Sequence, residues 1–197
     1  MYRAITWLAL QRGIDTGNEA TLSAMAETVA IRIGPPPADG REACSISVDG
    51  RDVTLALREP AVERTVSSVS AVLGVRRALV RLQREAAPAD VVMAGRDIGT
   101  VVIPDAGLKV FLLATLAVRA ARRQEELALK GRVETLAQVQ ADLERRDRID
   151  SGRAHSPLRA AEDAVVVDTD TLTLDDVVER IVQLACERGA VEVQTSR

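Results

Sequence analysis

Residues 91–100 read VVMAGRDIGT, an apolar run followed by a glycine, an arginine and a carboxylate. The apolar residues predict a short buried strand that ends at Gly95. In open α/β sheets, ligands bind at the carboxyl ends of the strands, which is where Arg96 and Asp97 would lie. Arginine carries a planar set of donors suited to phosphate, and aspartate accepts hydrogen bonds from an amine. The stretch therefore predicts a site that holds a phosphate and a base together.

The rest of the chain alternates predicted helices with predicted strands. Two further apolar runs, residues 108–113 and 164–168, indicate buried strands. Strands that alternate with helices favour an α/β fold, with a parallel sheet covered by helices on both faces. The helices are predicted over residues 2–11, 18–33, 60–69, 75–87, 116–130, 133–148 and from 173 onwards.

A small β element interrupts this alternation. Asp49-Gly50 separates the runs 45–48 and 51–55, and Asp-Gly between such runs is a strong signal for a β-hairpin. The glycine- and proline-rich residues 34–40 before it predict a loop or linker. A hairpin in a mostly α/β chain indicates a small inserted lobe rather than a part of the main sheet.

Composition restricts the class of partner. The chain has 197 residues, which suits one domain, and a net charge of −3, which gives no general basic field for nucleic acid. Aromatic residues make up 2%, too few for base-stacking platforms. No apolar run approaches the roughly 18 residues needed to span a membrane. We therefore expect neither a nucleic-acid partner nor a membrane partner.

Cysteine and histidine are scarce. Cys44 and Cys186 lie far apart without a CxxC or metal spacing, which is typical of reduced thiols in a cytoplasmic protein. His155 is the single histidine, which excludes sites made of several histidines. The apolar residues 1–10 lack a basic region beyond Arg3 and a cleavage site, so they indicate a helix of the mature protein rather than a signal peptide.

Arginines cluster in two further places. Arg146, Asp150 and Arg153 recur at spacings of four and three, which places them on one face of a helical turn. They suit either anion binding or a solvated helix end with intrahelical ion pairs. For the second cluster a solvated face is the first interpretation, and its members are Arg119, Arg122 and Arg123.

Taken together, these segments resemble a known family. The stretches MYRA at 1–4, VRRAL at 75–79, GRDIGTVVIPDA at 95–106, RRDRIDSGRAHSPL at 145–158 and VVVDT at 165–169 look like bacterial cytidylate kinase, a nucleoside monophosphate kinase. The resemblance runs through almost the whole chain. It implies a P-loop-NTPase-like parallel sheet with flanking helices in one domain, 1–197. In that domain residues 34–67 would form an inserted acceptor-binding lobe and residues 145–157 a mobile lid.

The resemblance also implies an activity, transfer of the γ-phosphoryl group of ATP to CMP or dCMP. Its partners would be these small-molecule substrates, its cofactor Mg²⁺ bound with ATP, and its oligomeric state a monomer. The matching positions implied to bind substrate are Arg3, Ser67, Arg76, Arg96, Asp97, Arg146, Asp150 and Arg153. Those implied to be catalytic are Arg96, Arg119, Arg123, Arg146 and Arg153. His155 is expected to be an exposed lid residue, and both cysteines are expected to be packing residues.

The chain departs from the family in its donor site. The family begins with a strand, a glycine-rich P-loop, a helix and a second strand, and no GxxxxGK[ST] occurs in these 197 residues. That loop carries the backbone N–H groups, the lysine and the hydroxyl that hold Mg·ATP. We therefore expect a longer natural chain in which Met1 is internal, and no turnover by the chain as written. A smaller departure is Ala94, where many relatives carry Asp or Glu.

Two alternatives stay open. One is a non-catalytic nucleotide-binding fragment or remnant of such a kinase. The other is a kinase of a different nucleoside monophosphate, UMP or AMP, against which the set Ser67, Arg76 and Asp97 argues.

Overall fold

The computed structural model describes residues 1–38, 42, 44–87, 91–153 and 155–190. The chain divides into two units. The first comprises Met1–Gly95 and Ile149–Pro157, and the second comprises Arg96–Arg148 and Leu158–Arg197.

Four helices build the first unit around an apolar core: α1 (Tyr2–Gln11), α2 (Glu19–Thr28), α3 (Pro60–Val69) and α4 (Leu73–Glu85). Gly13 has φ +61°, which lets the chain reverse after α1 so that the amide of Ile14 donates to the carbonyl of Ala9 at 2.9 Å. The side chain of Asn18 caps α2 by accepting from the amide of Thr21 at 3.0 Å. The predicted starts of these helices are confirmed to within two residues.

The first unit also contains an antiparallel sheet of β1 (Ile31–Gly34), β2 (Ser45–Val48) and β3 (Arg51–Asp52), in that order. Asp49 (φ 49°) and Gly50 (φ 82°) both adopt left-handed backbone, the combination that a two-residue hairpin turn requires. The predicted hairpin is confirmed, although its second strand has only two residues.

The prediction that the second helix extends to Ile33 is wrong, because α2 ends at Thr28. Ile31 and Ile33 lie instead in β1, opposite Val48 and Ile46 of β2. Two β-branched residues separated by one polar residue suit a strand, and pairing with β2 satisfies their backbone groups.

The second unit contains two parallel strands, β4 (Val110–Leu113) and β5 (Val165–Asp168), with Val110 opposite Val165. Its helices are α5 (Leu116–Leu129), most of α6 (Leu136–Ser151), α7 (Leu174–Glu187) and a π-type turn, Ile98–Val102. Residues 149–151 of α6 belong to the first unit. None of the helices in the described part of the chain has the length and apolar character needed to cross a bilayer.

Two expectations about the sheet are wrong. Residues 91–93 are not a buried strand: they have no regular structure, and Val92 is 97% exposed. A strand needs a neighbour to accept its backbone hydrogen bonds, and among the described residues β4 and β5 pair only with each other. Nor is the sheet covered on both faces, because Leu112 is 50% and Val166 52% exposed.

Candidate functional site

The structure divides the ten predicted site residues equally between the two units. The first unit holds Arg3, Ser67, Arg76, Asp150 and Arg153. The second unit holds Arg96, Asp97, Arg119, Arg123 and Arg146.

Three residues of the first group meet at the end of α3, through Ser70. The hydroxyl of Ser70 donates to the carbonyl of Ser67 at 3.0 Å and accepts from Nη2 of Arg153 at 2.8 Å. The carbonyl of Ser70 accepts from Nη1 of Arg76 at 2.9 Å. We call these four residues the Ser70 cluster. Sequence reasoning missed Ser70, since nothing local distinguishes it from the neighbouring serines.

Arg153 forms a buried ion pair with Asp150. Nη2 of Arg153 donates to Oδ1 of Asp150, and their side chains are 7% and 0% exposed. A solvated helix end is therefore the wrong interpretation of this pair. Nε of Arg153 is buried without a hydrogen-bond partner among the described residues. Buried donors without a partner cost about 1–3 kcal/mol, so such an atom calls for an explanation such as a ligand or a water.

Arg76 lies beneath the ring of Tyr2. Its side chain comes from α4 and is 3% exposed, and its guanidinium carbon lies 5.1 Å from the centre of the Tyr2 ring of α1. At this distance the ring face attracts the cation. Tyr2 is a second residue that the sequence did not single out, although it precedes Arg3.

Arg3 is held by α3 and by the turn before it. Its Nη1 donates to the carbonyl of Leu57 at 2.9 Å and lies 3.4 Å from Oε1 of Glu63. Glu63 is nearly inaccessible to solvent. The arginine that was expected to bind phosphate therefore has a buried carboxylate beside it, and Glu63 joins the residues that sequence reasoning missed.

Arg96 and Asp97 adjoin in sequence but differ in environment. Arg96 is exposed, whereas Asp97 is buried. Asp97 precedes the π-type turn, and its carbonyl accepts from the amides of Val101 and Val102 at 2.9 and 3.2 Å. This wide turn fixes the backbone of Asp97 without an adjoining strand.

The arginines of α5 all have acceptors within the second unit. Nη2 of Arg119 lies 2.7 Å from Oδ2 of Asp147, and Nη1 of Arg123 lies 2.7 Å from Oε2 of Glu126. Arg122 donates to the hydroxyl and carbonyl of Thr169 and to the carbonyl of Leu172, which ties α5 to the segment after β5. Arg146 of α6 is half-buried.

Glu126 carries a negative charge at neutral pH. Its partial burial raises its pKa, but hydrogen bonds from Lys130 and Arg123 outweigh burial and hold the pKa below the ordinary value of 4.5. The charge of Arg123 is therefore balanced in this structure by an ionised partner.

The remaining reactive side chains suggest no site. His155 is exposed, as predicted, and both cysteines are free thiols. Cys44 is half-buried, but Cys186 is exposed, so the expectation that it packs is wrong. Within the described ranges, no three or more His, Cys, Asp or Glu side chains group together to hold a metal ion.

Known proteins are similar to this chain over nearly its whole length. The family model described as cytidylate kinase matches residues 1–187. A protein of Bacillus licheniformis named cytidylate kinase is 44% identical over 193 residues, which cover 96% of this chain and 83% of that protein. The cytidylate kinase of Rhodococcus jostii is 44% identical over 190 residues, 95% of this chain and 81% of the relative.

Larger relatives match over part of their length. The bifunctional pantoate ligase/cytidylate kinase of Synechococcus sp. (strain JA-3-3Ab) is 49% identical over 186 residues. The match covers 93% of this chain but 34% of the relative. The chain thus spans about a third of the length of these bifunctional proteins.

Proposed function

The chain belongs to the cytidylate kinase family, and on this premise we propose that it binds CMP or dCMP as the acceptor of the γ-phosphoryl group of ATP. The observation that carries the proposal is the Ser70 cluster, which fixes two buried guanidinium groups beside Ser67. Desolvated arginines held by hydrogen bonds, one from the first turn of α4 and one from the segment after α6, are suited to bind an anionic ligand. Nε of Arg153, buried without a described partner, is a donor that such a ligand would satisfy directly or through a water.

The proposed recognition of cytosine is carried over from the family resemblance, and the donors and acceptors of these side chains are compatible with it. The base presents a ring carbonyl and N3 as acceptors and an exocyclic amine as a donor. The hydroxyl of Ser67 and the guanidinium of Arg76 provide donors, and the carboxylate of Asp97 accepts from the amine. Uracil, which has an oxygen in place of the amine, would face Asp97 with a second acceptor. A set of this kind discriminates strongly, because the wrong base leaves buried polar groups without partners.

The proposed phosphate ligands are arginines because a guanidinium offers several charged donors to phosphate oxygens. Arg3, Arg96 and Arg153 are assigned to the acceptor phosphate. Arg146 and Asp150 are assigned to the sugar and phosphate region, with residues 145–157 as a lid and residues 34–67 as the acceptor-binding lobe.

Arg119 and Arg123 are assigned to the transferring phosphoryl group, together with Arg96, Arg146 and Arg153. Phosphoryl transfer depends on positioning and charge neutralisation rather than on a covalent partner. An arginine at the transferring group contributes about 10³–10⁵ in rate in phosphoryl-transfer proteins.

The donor would be ATP with Mg²⁺, whose charge neutralises the phosphate oxygens when it is bound. The described residues contain no metal-ligating group of three or more side chains, and the sequence contains no GxxxxGK[ST]. The part of the chain that the structure describes therefore offers no ready ligand set for the metal, and we assign it no ligand here. We propose that the chain as written binds the acceptor without turning it over.

Isothermal titration calorimetry with CMP, UMP and AMP tests the proposal on the chain itself. We expect CMP to bind at least about tenfold more tightly than AMP, since each lost polar pairing costs about 1–3 kcal/mol. Arg76→Met should abolish this preference. Arg77→Met is the matched control, because Arg77 is the exposed neighbour on the same helix. Equal affinities for CMP and AMP would refute the proposed substrate, and ADP release from Mg·ATP and CMP would refute the proposed lack of turnover.

A further inference from the structure

We infer that Ser70 is a positioning residue that holds Arg153 for the acceptor phosphate. The inference rests on the proposed function and deepens it, since it concerns one residue of the same site. Ser70 itself is buried and is assigned no contact with substrate.

The place of Ser70 in the fold explains its two kinds of contact. It is the residue directly after the last residue of α3, where carbonyl groups no longer have partners in the next helical turn. Its carbonyl is therefore available to Arg76, which donates to it at 2.9 Å. Its hydroxyl donates back to the carbonyl of Ser67, which leaves the oxygen lone pairs to accept from Arg153 at 2.8 Å.

The two contacts are separable by mutation, and this makes the inference specific. Arg76 binds the backbone of Ser70, so that contact persists whatever side chain stands there. Arg153 binds the hydroxyl, so only its contact is lost on substitution by alanine. Ser70→Ala should therefore impair binding of the phosphate while the base-reading pair Ser67 and Arg76 stays in place.

The effect is expected to be substantial because, among the described residues, the guanidinium of Arg153 has one further hydrogen-bond partner. That partner is Asp150, three residues before it in the same segment. An ion pair so local in sequence moves with the segment, whereas Ser70 lies 83 positions away in the chain and anchors Arg153 to α3. A displaced donor binds phosphate poorly because a hydrogen bond weakens steeply as its distance and angle depart from the optimum.

The test compares CMP with cytidine, which lacks the phosphate, by calorimetry on the full chain. In Ser70→Ala we expect affinity for CMP to fall about 5- to 20-fold, which is part of what a hydrogen bond to a charged group contributes, because the lost bond positions Arg153 and does not itself reach the ligand. Affinity for cytidine should change less than about twofold. Ser70→Thr, which keeps the hydroxyl, should restore CMP binding.

Ser68→Ala is the matched control. Ser68 is exposed on α3, and its hydroxyl makes the same kind of local bond, to the carbonyl of Thr65 at 2.7 Å.

A double mutant gives a second test. In an Arg153→Ala background, Ser70→Ala should weaken CMP binding no further. We expect this result even if Ser70→Ala by itself lowers the stability of the chain. Suppose that the wild type prefers CMP to AMP, but that Ser70→Ala loses affinity for CMP and for cytidine equally. This result would overturn the role of Ser70 and leave the proposed function intact. Failure of the wild type to prefer CMP to AMP would instead overturn the proposed function.

Discussion

The guanidinium of Arg76 lies 5.1 Å from the centre of the Tyr2 ring, with the arginine side chain almost fully buried. Desolvated cation–π contacts contribute about 2 kcal/mol or more. We predict that Tyr2→Leu lowers the melting temperature by about 4–8 °C, given about 2–4 °C per kcal/mol for a chain of this size. CMP affinity should also fall, because Arg76 loses the surface that orients it. Tyr2→Phe keeps the ring face and should behave like the wild type in both assays, whereas equal effects of Leu and Phe would exclude a cation–π role.

The contact between Arg3 and Glu63 leads to a prediction about stability. Glu63 is buried, and Nη1 of Arg3 lies 3.4 Å from its Oε1. Removing the charge while keeping the shape, in Glu63→Gln, should destabilise the chain by about 1–3 kcal/mol because Arg3 then lacks its ionised partner. Thermal unfolding followed by circular dichroism measures this loss.

Glu59→Gln is the control for that experiment. Glu59 is exposed and stands at the start of the same helix. Its substitution should shift the melting temperature by less than about 2 °C, because an exposed charge contributes little to the free energy of unfolding. A Glu63→Gln protein as stable as Glu59→Gln would show that the Arg3–Glu63 contact contributes nothing measurable.

Several elements were predictable because short-range chemistry determines them. The hairpin follows from Asp49-Gly50, which readily takes the left-handed backbone that the turn needs. The start of α3 follows from Pro60, which occupies the first helical turn at no cost in hydrogen bonds. The family was predictable as well, because its motifs are dispersed along the chain, and the match over residues 1–187 confirms it.

The predictions of secondary structure that were wrong concern segments whose structure depends on residues far away in the sequence. Residues 91–93 have the composition of a strand, but a strand exists only where a neighbour pairs with it. Ile31 and Ile33 continue an apparent helical pattern, yet pairing with β2 places them in a strand. The role inferred for Ser70 could not be predicted from the sequence either, since its contact with Arg153 spans 83 positions. The residue roles carried over from the family remain predictions.

Arg119 and Asp147 lead to a third prediction, about anion binding in the second unit. Their side chains lie 2.7 Å apart and are about one-third exposed. Exposed ion pairs contribute about 0–1 kcal/mol, so Asp147→Asn should change the melting temperature by less than about 4 °C. Removing this carboxylate should also free Arg119 for an anion, and we expect affinity for inorganic tripolyphosphate to rise about two- to fivefold at low salt.

Asp142→Asn provides the comparison for this measurement. Asp142 pairs with Arg145 on the same helix, so its substitution removes the same charge without touching Arg119. If both variants raise tripolyphosphate affinity equally, the effect is one of net charge and Arg119 is not the anion ligand.

The start of α7 yields a prediction about pH. The carboxylate of Asp176 accepts from the hydroxyl of Thr173 at 2.6 Å and from its amide at 2.8 Å, and the amide of Asp176 donates back to that hydroxyl at 3.2 Å. These hydrogen bonds favour the ionised form and hold the pKa of Asp176 below its ordinary value of 3.8. The folded chain therefore binds this proton less readily than the unfolded chain does.

The lowered pKa of Asp176 makes the folded chain more stable when this carboxyl is ionised than when it is protonated. Stability contributed by the ionised carboxylate is fully present above pH 3.8, the value in the unfolded chain, and is lost as pH falls through the lower value in the folded chain. Asp176→Asn should thus be less stable than the wild type by a constant amount between about pH 5 and 7, and the gap should narrow below about pH 4. Thermal melts of both proteins across this range measure the gap. Thr173→Ser keeps the hydroxyl and should follow the wild type, and a gap that stays constant down to pH 2.5 or so would show that Asp176 acts through something other than its charge.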